Sequence, residues 1–156
     1  MAELTGVIQI VGSDTSQIDT TQKHPFGQRA VDTDGNEYIY LTGVASTILG
    51  SWVTYDELGI TTLLVANAIG PVAVAMAVLD STSKYGWYCI RGTVEAALAD
   101  TSSVNTSIGY EDASGYAGDG KAAGDTIYGA FQRDATTTAA IATCQILYPF
   151  VDDNSN

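Results

Sequence analysis

The sequence predicts an all-β protein: a small β-barrel or sandwich of short antiparallel strands, with an extended N-terminal arm and a long Gly-rich loop. Three observations predict it. Apolar residues alternate with a period of two in short runs, and no stripe at helical spacing lasts three turns. Clusters of Gly, Asp, Asn, Ser and Thr divide these runs, and such residues favour turns over helix. Only 15% of the 156 residues are charged, against roughly 25% in a typical soluble domain. A chain of this length suits one domain with one real core.

Residues 1–23 read as an arm. Thr5 to Val11 is a candidate short strand, followed by the polar, aperiodic run SDTSQIDTTQK. Residues 24–151 read as the β-rich domain and 152–156 as an acidic tail. Within the domain, QRAVDT-DG-NEYIYLTG signals a hairpin with Asp34-Gly35 as a two-residue type I′ turn. That register sets Thr33 against Asn36, Val31 against Tyr38 and Arg29 against Tyr40, with a cross-strand cation–π pair between the last two.

Ser51 to Tyr55 and Thr61 to Val65 read as strands. Pro71 to Leu79 places Val72, Val74, Met76 and Val78 on one face and Ala73, Ala75 and Ala77 on the other. An apolar run of this kind is a central strand covered on both sides. Residues 86–98 form the next strand, alternating Trp87, Cys89, Arg91 and Thr93 against Tyr88, Ile90, Gly92 and Val94. Gly92 marks a bulge or a close backbone approach. Residues 99–125 read as a polar, Gly-rich loop with a short strand near Val104 to Tyr110. Asp125 to Arg133 is a strand. Thr138 to Phe150 is the last, with Ala142, Cys144, Ile146, Tyr148 and Phe150 on one face.

Charge excludes several functions. Six Lys+Arg against 18 Asp+Glu give a net charge of −12, which repels nucleic-acid phosphates and leaves no basic membrane patch. The longest apolar run falls far short of the ~20 residues of a membrane span, and the N-terminus lacks the pattern of a signal peptide. Cys89 and Cys144 lie in apolar strand-like runs without metal-ligand spacing and read as buried free thiols. A disulfide between them stays open.

No catalytic constellation emerges, and neither cofactor nor resident metal is expected. GYAGDGKA over 115–122 matches GxxxxGK, but Ala122 stands where a P-loop needs Ser or Thr, and no helix follows. DTDGNEYIYLTG over 32–43 has Glu37 and Gly43 where an EF-hand needs Gly and a carboxylate. The carboxylates of 109–125 leave a Ca²⁺ loop open. His24 is the only histidine, so a Ser–His–Asp or Cys–His arrangement rests on one residue beside Pro25. Tyr38, Tyr40, Trp52, Tyr55, Tyr85, Trp87 and Tyr88 sit near strand ends and hairpins. They read first as core, then as a protein-binding surface, then as a sugar-stacking one.

The runs HPFGQRAVDTDGNEYIYLTGVASTILGSWVTYDE, GPVAVAMAVLDSTSKYGWYCIRGTVEA, AGDTIYGAF and QILYPFVDD resemble the small capsid decoration proteins of tailed bacteriophages. The resemblance covers about residues 24–152 and rests on order and texture. It implies a non-enzymatic protein, made in the host bacterial cytoplasm, that binds the outer surface of an icosahedral head. There it stabilises contacts between major capsid subunits. It also implies a homotrimer at local threefold positions. Candidate contacts are Thr5, Val7, Ile8 and Ile10 on the arm, which can add to a neighbour's sheet edge, and Trp52, Tyr55, Trp87 and Tyr88 at subunit interfaces. A carbohydrate-binding or adhesive β-module displayed on the virion is the alternative.

Overall fold

The computed structural model describes residues 14–99 and 103–153. Strands are β1 (Arg29–Val31), β2 (Glu37–Thr42), β3 (Trp52–Tyr55), β4 (Thr61–Leu63), β5 (Ile69–Ala75), β6 (Tyr85–Leu98), β7 (Ser107–Tyr110), β8 (Ala117–Gly118), β9 (Thr126–Gln132) and β10 (Ala140–Asp152). No helix occurs among the described residues, so the all-β expectation holds. The candidate strand Thr5 to Val11 lies outside the described residues.

Two long strands organise the molecule. The first half of β6 pairs with β2 and β5, and these extend through β1 on one side and through β3 and β4 on the other. The second half of β6 pairs with β10, and the order β6-β8-β7-β9-β10 then returns to β6 as a closed ring. Closure removes the free edges that an open sheet would leave there. Almost every pairing is antiparallel. The exception is Leu98 with Ala117, a parallel bridge between β6 and β8. β8 falls within the stretch read as loop; its Ala117 is buried, so the Gly-rich run contributes a closing strand.

β5 is covered on both faces, as its sequence predicts. Val72 and Val74 join a core with Tyr38, Tyr40, Trp52, Trp87 and Cys89. Ala73 and Ala75 face a second core with Ile39, Leu41, Val53, Tyr88 and Ile90. The strand stops at Ala75; Ala77 and Leu79 lie beyond it in irregular backbone and still bury their side chains in the second core, while Val78 is exposed.

β6 keeps its predicted alternation only to Ile90. Glu37 pairs with Arg91 and Tyr38 with Cys89, which leaves Ile90 as an extra residue. Gly92 follows at φ +119. Beyond it Val94, Ala96 and Leu98 turn to the core that holds Trp87 and Cys89. The bulge has changed the phase of the strand. A Cβ on Gly92 would stand 2.0 Å from Asn36 Oδ1, so the close approach expected there is real.

The hairpin differs from expectation by one residue. Val31 pairs with Glu37, Ala30 with Tyr38 and Arg29 with Ile39. The loop is Thr33-Asp34-Gly35, closed by Asp32 N–H donating to Asn36 O at 3.0 Å. Gly35 N–H donates to Asp32 O, and Gly35 has φ +84. This is a three-residue turn with a left-handed glycine, in place of the two-residue turn. The Asp32 side chain decides it: Oδ1 accepts the N–H groups of Asp34 and Asn36, both at 2.9 Å. The one-residue shift also removes the expected Arg29–Tyr40 pair.

The polar segment read as a linker is fastened at Asp19. Asp19 and Tyr85 exchange backbone hydrogen bonds at 2.9 Å. The buried Asp19 carboxylate accepts from Tyr40 Oη at 2.8 Å and pairs with Lys23 Nζ at 3.0 Å.

Candidate functional site

The residues proposed as contacts separate sharply. Thr5, Val7, Ile8 and Ile10 lie outside the described residues. Trp52, Trp87 and Tyr88 are 0%, 3% and 0% exposed, and this corrects their assignment to a subunit interface. Their polar or aromatic needs are met inside the chain. Trp52 Nε1 donates to Ala97 O at 3.0 Å, and Tyr88 Oη donates to Thr42 O at 2.9 Å. The Trp87 ring packs on Tyr40 at 5.2 Å and on His24 at 5.3 Å. Rings without exposed surface offer nothing to a partner. Tyr55 alone of this group reaches an open site, a cleft of about 500 Å³ that it lines with Arg29, Pro71, Tyr148, Pro149 and Phe150.

The cleft lies where β10 changes neighbours. Leu147 is the last residue of β10 paired with β6, and Phe150 is the first paired with β5, opposite Pro71. Phe150 also pairs with Tyr128 on β9, and the register slips between Ile146 and Phe150. Leu147, Tyr148 and Pro149 therefore face a single β9 residue, Gly129. Gly129 has φ +76, and a Cβ there would meet Leu147 O at 2.7 Å. The surplus residues turn the strand. Ile146 before the turn is buried, whereas Tyr148 and Phe150 after it are 49% and 47% exposed. The predicted single face from Ala142 to Phe150 breaks at this point.

An aromatic row results. The Tyr128 and Phe150 rings stack at 5.1 Å with planes 20° apart. Phe150 adjoins Pro71 on β5, and Tyr55 is the residue after Thr54, which pairs with Val72. The row thus crosses β9, β10, β5 and β3.

Tyr148 is the most constrained member. It has φ +47, a left-handed conformation rare outside Gly, Asn and Asp and costly for a bulky residue. Its Oη donates to Glu37 Oε2 at 2.7 Å. Glu37 Oε1 in turn pairs with Arg91 Nη1 at 3.4 Å. The Arg29 guanidinium lies 5.7 Å from the Tyr148 ring centroid, within cation–π range. The bond to Glu37 pushes the Tyr148 hydroxyl above its ordinary value, so it stays a protonated donor at neutral pH. Burial does the same to Tyr55. Tyr148 thus combines a strained backbone with a half-exposed ring.

Side chains of the other candidate motifs have partners within the chain. Lys121 of the P-loop-like run donates to Ser107 O at 2.8 Å. In the acidic stretch, Glu111 accepts from Gly120 N–H at 3.0 Å and Asp119 from Ser103 N–H at 2.8 Å. Asp125 accepts from Asn67 N–H at 2.8 Å. These carboxylates close loops. Among the described residues no group of three or more His, Cys, Asp or Glu is placed to hold a metal ion. Cys89 and Cys144 are buried free thiols.

Sequence reasoning missed Arg29, Pro71, Tyr148, Pro149 and Phe150 as a group. One signal was present: a proline inside a run that otherwise reads as a central strand marks a bulge, and Pro149 sits in such a run. In comparisons with known proteins, the chain matches no family model, no curated protein and no solved structure.

Proposed function

We propose that the chain is a structural decoration protein that binds the outer surface of an icosahedral phage head and docks there through the aromatic cleft. The observation that carries the docking surface is the row of exposed Tyr128, Phe150 and Pro71, continued by the half-buried Tyr55, beside the strained Tyr148. Exposed aromatic area joined to a rigid scaffold is what protein contacts use. The resemblance of residues 24–152 to capsid decoration proteins supplies the partner, the major capsid protein. A homotrimer on a local threefold gives three equivalent contacts, and their avidity exceeds that of any one. With Trp52, Trp87 and Tyr88 buried, trimer contacts fall to other surfaces. Sedimentation with purified, expanded capsids tests the reading: the protein is expected in the pellet at a stoichiometry that matches lattice positions, and its absence there rejects it.

A glycan-binding module displayed on the virion is the second reading. The observation favouring it is that Tyr55, Tyr148 and Phe150 line an open cleft, a setting in which sugar rings stack on aromatic faces. Retention of the free protein on host surface polysaccharide, with no capsid binding, would select this reading.

A further inference from the structure

The chain has six Lys and Arg residues, and five of them have polar partners. Lys23 pairs with Asp19 at 3.0 Å, Lys84 with Asp80 at 2.6 Å and Arg91 with Glu37 at 3.4 Å. Lys121 donates to Ser107 O at 2.8 Å, and Arg133 Nη1 donates to Asn105 Oδ1 at 2.7 Å. Arg29 alone has no ion pair or hydrogen bond among the described residues. Its contact is the face of the Tyr148 ring. With 18 Asp and Glu on the chain, acids are not in short supply. Glu37, across the hairpin from Val31, is occupied by Tyr148 Oη and Arg91.

A lone arginine on an open surface is ordinarily just solvated. This one forms part of the wall of an aromatic and proline-lined cleft. Its guanidinium keeps five donors in a planar fork suited to a carboxylate. Stacking on Tyr148 restrains that fork, and the Glu37 bond holds the ring.

We propose that the Arg29–Tyr148 cleft recognises a carboxylate carried beside an apolar group, as on a partner-protein loop with Asp or Glu next to an apolar residue. The inference rests on the docking role given to this cleft under the proposed function. Arg29 takes the carboxylate, and the apolar neighbour lies against Phe150 and Pro71. The net charge of −12 decides against a polyanion. Repeated negative charge is repelled by the whole molecule, whereas a single carboxylate docked on Arg29 feels chiefly the nearest cation once salt screens beyond ~8 Å.

The test uses a small probe and capsids in parallel. The full-length protein is titrated with 3-phenylpropionate and with its uncharged amide, followed by amide NMR shifts. The carboxylate is expected to shift Arg29, Tyr148 and Phe150 saturably and to bind at least ~10-fold more tightly than the amide. Arg29→Ala should abolish that preference, and Arg29→Lys should restore only part of it, since a point charge lacks the fork. Unchanged melting temperatures control for folding. Equal binding of acid and amide, or a preference that survives Arg29→Ala, overturns the inference even if wild type sediments with capsids. An Arg29-dependent preference in a protein that fails to sediment leaves the carboxylate site standing and rejects the capsid reading.

Discussion

Asp19 accepts a hydrogen bond from the Tyr40 hydroxyl at 2.8 Å, and both residues are buried. The bond ties the polar N-terminal segment to the centre of β2. Burial alone would raise the Asp19 carboxyl. The bonds from Tyr40 and Lys23, with the charges of Lys23 and His24, outweigh it and hold the group below its ordinary value of 3.8. Burial and the same bond push the Tyr40 hydroxyl up to about 12.

The first prediction follows from that pair. Asp19 has a lower folded-state than unfolded-state value, so its contribution is full above the ordinary value of 3.8. It is lost as pH falls through the folded value. Tyr40→Phe and Asp19→Asn should each cost about 1–3 kcal/mol at pH 7. In acid the cost of Asp19→Asn should shrink, because protonation has already weakened the native bonds. Denaturant melts at pH 7 and pH 3 check this; a cost for Asp19→Asn that does not change with pH removes the assignment.

Gly92 and Gly35 should respond unequally to alanine. Both have positive φ. Around Gly35 a Cβ meets nothing within 4 Å, whereas at Gly92 it meets Asn36 Oδ1 at 2.0 Å. Asn36 Oδ1 also accepts the Thr93 N–H at 3.0 Å, so moving it breaks a bond. Gly35→Ala should cost about 1 kcal/mol, from backbone strain alone. Gly92→Ala should cost about 2 kcal/mol more, from the clash and the lost bond. Thermal melts that rank the two variants the other way would contradict the bulge. Gly35→Asn should be nearly neutral, since Asn tolerates the left-handed region.

The two thiols should be silent in the folded protein. Burial pushes both Cys89 and Cys144 up to about 12, and the thiolate is the reactive form. A chromogenic disulfide reagent at pH 8 should label neither in buffer and both in strong denaturant. Labelling of the native protein on a timescale of seconds would place at least one thiol at the surface.

The fold class was legible because period-two alternation and turn clusters report directly on local backbone. The two-sided burial of β5 was legible too, since valine on one face and alanine on the other leave no polar side for solvent. What escaped was phase. β6 and β10 each change faces partway, at Gly92 and at Tyr148-Pro149, and alternation read through such a point puts the later residues on the wrong side. The hairpin register slipped for a related reason: the Asp32 carboxylate captures two backbone N–H groups and draws a third residue into the turn. The site was hidden by the same effect. Trp87 and Tyr88 have the composition of an interface but lie before the bend of β6, in the core, and Trp52 on β3 is buried there too. Tyr148 and Phe150 lie after one and face outward.

The central claim is that this outward-facing cleft is the docking surface for a phage head. Its most direct measurement is the affinity of expanded capsids for wild type, for Tyr148→Ala with Phe150→Ala, and for Leu58→Ala. Leu58 is 64% exposed and does not line the cleft, so its truncation controls for general loss of apolar surface. Removing two aromatic anchors is expected to weaken binding at least ~30-fold, corresponding to about 2 kcal/mol. The double variant should keep its strand signal in circular dichroism, and Leu58→Ala should bind as wild type does. A folded double variant that decorates capsids with wild-type affinity would contradict the account.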